Sequence, residues 1–167
     1  MYTKKVLKHF QNPHNYGRMR NSDGIGKVGN LVCGDIMWLY IRIGKNTKKQ
    51  EIIKDIKFET FGCVAAIATS SAITDLAKGK TIKEALKISK EKIINTLGGL
   101  PPIKVHCSVL AADALIEAIY DYLKKNKRDI PRDLEKKHQI LQKEKEIISA
   151  KYKDWVETEE KMHSHEQ

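Results

Sequence analysis

Cysteine is scarce in this chain: three residues in 167, at Cys33, Cys63 and Cys107, no two of them close in sequence. Three thiols cannot all pair within one chain, so a disulfide framework is excluded. Zinc-finger cysteine pairs are missing, and so is the His-Glu-x-x-His helix of hydrolytic zinc sites. Apolar runs are far too short to cross a bilayer, and no charged-then-apolar leader opens the sequence. Internal repeats and low-complexity tracts are absent as well. These absences lead us to expect a cytoplasmic protein, not membrane-bound, whose cysteines are free or hold a metal.

Acidic residues are in deficit, 21 against 31 Lys and Arg, which leaves a net charge of +10. The excess sits in residues 1–129, which carry +11, while residues 130–167 carry −1. A basic body admits nucleic acid or an acidic protein as partner. Aromatic residues, however, do not interleave with the scattered lysines (Lys48, Lys49, Lys54, Lys57, Lys78, Lys80). A single-strand groove needs such stacking platforms, so nucleic-acid binding is not expected. A chain of this length supports one cored domain and an appendage. We divide it into a domain over residues 1–129 and a helical extension over residues 130–167.

What is present begins with a short helix from Thr3 to Phe10, ended by Asn12-Pro13. A Gly/Asn/Ser/Asp-rich loop follows, from Asn15 to Gly24. Residues 25–32, 35–43 and 52–61 read as strands, with Met37, Leu39, Ile41 and Ile43 alternating against Trp38, Tyr40 and Arg42. Short connections make them an antiparallel meander. From Val64 the period becomes helical: an alanine-rich helix stopped at Lys78-Gly79, a capping box at Thr81-x-x-Glu84, then a helix capped by Ser89 and broken at Gly98-Gly99.

Leu100-Pro101-Pro102 predicts an extended segment. Ser108 is expected to cap an amphipathic helix that buries Val109, Ala112, Ile116, Ile119 and Leu123 and turns Asp113, Glu117 and Asp121 to water. Beyond Pro131, Leu134, Leu141, Ile148, Trp155 and Met162 recur every seven residues, joined by Ile140, Ile147, Tyr152 and Val156. The second heptad row is incomplete, so this helix is expected to pack on its own domain or on a sister subunit rather than as a free coiled coil. Strands followed by helices predict an α+β fold: a three-stranded antiparallel sheet with helices packed on one face, plus a long C-terminal helix.

Each cysteine has distinctive neighbours. In Cys33-Gly34-Asp35 the glycine removes bulk, and an extended chain points Asp35 the same way as the thiol. Cys63 follows Phe61-Gly62 where strand gives way to helix, and Cys107 lies between His106 and Ser108 at a helix start. Helix N-termini aim N–H groups at these two thiols and are expected to lower their pKa. A lone cysteine is ordinarily a small buried hydrophobe. Three of them, each beside glycine, carboxylate or imidazole, supply soft donors from separate segments and suit a soft metal or an iron–sulfur cluster. His106 offers either a fourth ligand or a base for Cys107. His9, His14 and His138 read as structural, and His163 and His165, near the chain end, are expected to catch metal only adventitiously.

Four segments carry a resemblance: Val6-Leu7-Lys8-His9-Phe10-Gln11-Asn12-Pro13, Gly29-Asn30-Leu31-Val32-Cys33-Gly34-Asp35, Thr60-Phe61-Gly62-Cys63-Val64-Ala65-Ala66-Ile67-Ala68-Thr69-Ser70-Ser71, and Leu100-Pro101-Pro102-Ile103-Lys104-Val105-His106-Cys107-Ser108. In that order and without large gaps they resemble the IscU / NifU N-terminal family of iron–sulfur cluster assembly scaffolds. Leu97-Gly98-Gly99-Leu100-Pro101-Pro102 is similar to the NifU-type members.

The resemblance implies a scaffold rather than an enzyme that turns over a small molecule. Cys33, Cys63 and Cys107 would hold a nascent 2Fe–2S cluster, with Asp35 or His106 in the fourth position. It implies iron as cargo and sulfur delivered as persulfide by a cysteine desulfurase, with Cys107 as acceptor. Transfer to apo iron–sulfur acceptor proteins would follow. An Hsp70-type chaperone would recognise Leu100, Pro101, Pro102, Ile103 and Lys104 in extended form, a ferredoxin or frataxin-like protein would assist, and a homodimer is admitted. Zinc would fit the same pocket in purified protein. The chain departs from the family at Val64-Ala65, where Gly-Ser is usual. No cysteine follows Cys107, so the cysteine-bearing segments of full-length NifU proteins are not expected here. The competing possibility is a zinc-dependent hydrolase, or another zinc-binding protein, using the same Cys/Asp/His pocket.

Overall fold

The computed structural model describes residues 1–30 and 33–151, together with 153, 157, 160 and 161. Its α+β architecture agrees with expectation. Strands β1 (Gly24–Gly29), β2 (Ile36–Lys45) and β3 (Glu51–Phe61) form one antiparallel sheet in the order β1-β2-β3. Leu39 pairs with Gly26 on one side and Phe58 on the other. The helices among the described residues are α1 (Lys4–Gln11), α2 (Val64–Ala77), α3 (Ile82–Ala85), α4 (Lys90–Thr96), α5 (Val105–Lys125) and α6 (Arg132–Lys151). Their starts follow local chemistry: Thr3 and Ser89 accept from the backbone of α1 and α4, and Thr81 with Glu84 completes the capping box.

One face of the sheet is the core. Met37, Leu39, Ile41, Ile56 and Phe58 are fully buried there beside alanines of α2 and α5. Two glycines let α5 approach closely: a Cβ at Gly26 would fall inside contact distance of the Ala114 carbonyl oxygen, and one at Gly24 would do so at the Ala118 carbonyl. The other face is covered as well, since Ile36, Trp38 and Tyr40 pack with Met19 from the preceding loop. Neither edge strand is bare. Phe58 exchanges backbone bonds with Asn15 and Gly17, and the Ile25 N–H donates to Asp121.

The tail helix packs on its own domain. Leu134, Leu141 and Ile148 are buried, whereas Ile140 and Ile147 stay more than half exposed; Trp155, Met162, Tyr152 and Val156 lie outside the described residues. This packing corrects one expectation about α5: Asp113 and Glu117 do not face water, because α6 lies over them. His138 Nδ1 sits 2.9 Å from both Glu117 oxygens and its ring stacks on Tyr120, while Gln142 donates to Glu117. Periodicity within α5 could not reveal a cover supplied by another helix.

Burial raises Asp113 from its ordinary 3.8 to about 6; Lys137 opposes the rise, and Glu144 and Glu117 add to it. A carboxyl raised on folding contributes stability that is full below its unfolded value and fades as pH climbs through about 6. Asp113→Asn is therefore expected to raise Tm at neutral pH, by an equivalent of about 1–3 kcal/mol, and to leave it nearly unchanged near pH 4. Thermal unfolding at the two pH values checks it. Equal shifts at both would rule out the charge as cause.

Candidate metal centre

Three junctions of the chain build the site. The first is the turn before β2, where Asn30 N–H donates to the Asp35 carbonyl (2.9 Å) and Gly34 N–H to the Asn30 carbonyl (2.9 Å). Gly34 holds φ at +72°, a conformation that favours glycine. Its contribution is therefore backbone freedom as much as lack of bulk. The second junction is the exit of β3. A Cβ on Gly62 would stand 3.0 Å from Asp35 Cγ and 2.7 Å from Ala66 Cβ, so glycine leaves the space that the carboxylate uses. Cys63 is the N-cap of α2, and its thiol makes no capping bond, which leaves it for the site.

The third junction is the start of α5. A 3₁₀ turn over Pro102–Lys104 leads directly into Val105, so Ser108 lies inside the helix, donating to the Val105 carbonyl (2.6 Å), and is not its cap. Leu100 to Lys104 is accordingly not an extended segment: Pro101 alone is shown with extended angles, and Pro102 starts a turn in which its missing N–H costs nothing. Cys107 falls in the first turn of α5. The Thr69 hydroxyl reaches its carbonyl at 3.1 Å and ties this turn to α2.

These junctions bring all five expected residues together. Cys63 and Cys107 sulfurs are 3.8 Å apart, and Asp35 Oδ2 lies 3.9 and 4.0 Å from them. Asp35, Cys63 and Cys107 form one group of converging donor atoms, and Cys33, Asp35 and His106 form a second that shares Asp35. No disulfide joins the cysteines: Cys33 is at the surface, Cys63 half-buried and Cys107 buried. His106 Nε2 is buried without a hydrogen-bond partner among the described residues. An orphaned buried nitrogen costs about 1–3 kcal/mol, and coordination to a metal would relieve it. Three thiols, a carboxylate and an imidazole thus fit a thiophilic metal cargo.

The electrostatics correct the sequence expectation for Cys107. Burial, then repulsion from Cys63, pushes the Cys107 thiol up rather than down. Desolvation likewise pushes Cys33 up to about 11. The helix N-terminus is outweighed because Cys107 is buried, and the neighbouring donors add to that effect. A cation that sequence reasoning did not assign to the thiols counters this crowding: Lys104 is raised, first by Cys63. Tyr2 also adjoins the site, its hydroxyl raised by burial and then by Cys63. The sequence signal for Lys104 was its place three residues before Cys107. Val64 packs against the main core while Ala65 packs beside Cys107, so the departure from Gly-Ser leaves the donors together.

Protonated thiols must lose their protons when metal binds. Metal affinity is therefore expected to rise between about pH 7 and pH 9, by about tenfold per unit for each proton displaced. Anaerobic titrations with proton-release detection measure it. An affinity flat over that range would mean that the thiols are already ionised.

An α+β domain with a thiol-rich pocket at the junctions of sheet and helices defines a class of metal-handling proteins, and comparison with known proteins narrows it. Residues 1–129 match the NifU-like N-terminal domain, and the chain belongs to that family. It is 59% identical over 126 residues to the iron-sulfur cluster assembly scaffold protein IscU 1 of Archaeoglobus fulgidus, covering 75% of this chain and 79% of that one. It is 45% identical over 127 residues to the corresponding IscU of Aquifex aeolicus, covering 76% and 79%. Among solved structures, the N-terminal part of a NifU-like protein from Brucella abortus shares the fold, with a TM-score of 0.58 and 16% identity over 74% of this chain and 94% of that one. No described helix is long and apolar enough to cross a membrane.

Proposed function

We propose that this protein is a scaffold on which iron–sulfur clusters are assembled and from which they are passed on. The observation that carries the proposal is the pair of donor groups sharing Asp35, which places Cys33, Cys63, Cys107 and His106 around one carboxylate. Kinship with scaffolds named IscU supports it, whereas nothing in those relatives favours a zinc hydrolase. The cargo would be a 2Fe–2S cluster held by the three thiolates, with Asp35 or His106 in the fourth position; zinc would occupy the pocket when iron and sulfur are withheld. Residues 1–129 would be the scaffold domain and 130–167 its helical extension. Three free cysteines suit a reducing, cytoplasmic setting.

In the proposed sequence a desulfurase presents a persulfide and the Cys107 thiolate attacks its terminal sulfur. The desulfurase cysteine leaves as thiolate, so this transfer is redox-neutral. Two further electrons, from a ferredoxin-like donor, turn the bound sulfane sulfur into sulfide. Cys107 is the least accessible of the three thiols, so the start of α5 must open for the attack, and Lys104 would favour the ionised pocket. Ile103, 76% exposed, and Pro102 offer a handle to an Hsp70-type chaperone, which would bind this segment as a turn or unwind it. Frataxin-like proteins, apo acceptor proteins and a second copy of the chain complete the proposed partners.

Anaerobic reconstitution with iron, cysteine and a cysteine desulfurase tests the proposal through visible absorption and the iron-to-protein ratio. The wild type is expected to take up iron and sulfide in equal amounts, and each of Cys33→Ser, Cys63→Ser and Cys107→Ser to lose most of that signal. Full uptake by the Cys63→Ser and Cys107→Ser variants would overturn it.

A further inference from the structure

The fold assembles a second set of metal donors away from the cysteines. His9 lies in the last turn of α1, His14 follows the Asn12–Pro13 break, and Asp75 lies near the end of α2. One ring nitrogen of each histidine and one carboxylate oxygen of Asp75 lie within 4.8 Å of one another. His14 Nδ1 is 2.6 Å from Asp75 Oδ2, and the two imidazole centroids are 4.8 Å apart. Asp75 is twelve residues along α2 from Cys63, about 18 Å at the rise of an α-helix. The two donor sets are therefore separate.

Two of the three side chains, and the backbone of the third, are held from behind. Ser71 Oγ lies 2.8 Å from His9 Nδ1 and accepts from the His14 backbone N–H at 2.8 Å. The Asn15 side-chain amide donates to Thr74 Oγ1 (2.9 Å) and to Asp75 Oδ1 (3.4 Å), and the Thr74 hydroxyl reaches the His14 carbonyl at 3.5 Å. Asn15 is held at φ +57°. The backbone at His14 is thus tied to α2 on both sides, and two of the three side chains have polar supports behind them. Metal sites show this arrangement, an outer ring of hydrogen bonds that orients the ligands.

We propose that His9, His14 and Asp75 form a second metal site that takes a divalent first-row transition cation, zinc or ferrous iron. Two imidazoles and a carboxylate are a donor set both cations accept. Bonds of about 2.0–2.1 Å at tetrahedral angles put ligand atoms about 3.3 Å apart, so atoms at the 4.8 Å limit close by about 1.5 Å while the 2.6 Å contact between His14 and Asp75 opens to admit the cation. The His14 and Asp75 side chains, 42% and 41% exposed, have room for that movement. The cation takes the place of the direct contact between His14 and Asp75, and solvent fills the open positions, so the metal is exchangeable. The site stands on its own donors and does not depend on what the cysteine pocket carries.

Cobalt(II) is the probe, because thiolate ligation gives intense charge-transfer absorption that nitrogen and oxygen ligation lacks. Titrations use the full chain carrying His163→Ala and His165→Ala, which removes adventitious binding by the tail. Two equivalents of cobalt are expected, the second without sulfur charge transfer. Adding His14→Ala or Asp75→Asn should weaken that second equivalent at least about tenfold and leave the first in place. Competition with zinc, and with ferrous iron under argon, then ranks the two cations. A cysteine-free variant (Cys33→Ser, Cys63→Ser, Cys107→Ser) should keep one equivalent; if it does not fold, the wild-type stoichiometry decides. A single equivalent in the parent, or a second one indifferent to His14→Ala and Asp75→Asn, overturns the proposal.

Discussion

Asp35→Ala is expected to hold its cluster longer than the wild type, with transfer to an apo acceptor slowed on the order of tenfold, or about 1.4 kcal/mol. Asp35 is the residue common to both donor groups, and it lies about equally far from two sulfurs. A carboxylate is the hardest donor in the pocket, and so the one that a thiophilic cargo releases most readily. Its removal takes one negative charge from a site crowded with thiolates. It also leaves His106, whose Nε2 is buried and unpartnered, as the remaining fourth donor. Transfer followed by absorption in a ferredoxin-type acceptor measures the effect. Transfer as fast as from the wild type would remove Asp35 from the release step.

Gly26→Ala is expected to be the most damaging small substitution in the fold, at about 3 kcal/mol or more, equivalent to a drop in Tm of roughly 6–12 °C. The new methyl would collide with the Ala114 carbonyl and come within 2.6 Å of the Ala118 nitrogen, both backbone atoms of α5 that cannot swing aside. Gly44→Ala is the matched control on the neighbouring strand. The atoms nearest its methyl belong to the Lys54 side chain, Cδ at 2.9 Å and Cβ at 3.0 Å, and not to a helix backbone, so a smaller loss of stability is expected. Because α5 also carries His106 and Cys107, Gly26→Ala should weaken metal retention as well. A Tm drop equal to that of Gly44→Ala would mean that α5 relaxes away from β1 at no cost.

Local chemistry explains which features were legible in the sequence. The capping box at Thr81, the caps at Thr3 and Ser89, and the apolar alternation along β2 are short-range signals, and the fold carries each of them. The three cysteine segments were legible because glycine, carboxylate and imidazole stand beside the thiols. Features that depend on another element's approach were not. Asp113 and Glu117 look like a solvent face until α6 covers them, and the α5 start shifts because two prolines fit a turn as well as an extended chain. The direction of the Cys107 pKa escaped for the same reason: a helix N-terminus is local, but the sulfur 3.8 Å away comes from a segment 44 residues distant. His9, His14 and Asp75 carried no metal-ligand spacing in the sequence, because α1 and α2 meet only in three dimensions.

The convergence of three thiols and a carboxylate on one cargo is tested most directly by X-ray absorption of the His14→Ala protein loaded with one equivalent of zinc, so that the His9/His14/Asp75 donors do not contribute to the signal. Three sulfur neighbours at about 2.3 Å and one oxygen or nitrogen at about 2.0 Å are expected, with one sulfur lost in each single Cys→Ser variant. A first shell made only of nitrogen and oxygen, or a sulfur count unchanged by all three substitutions, would contradict it.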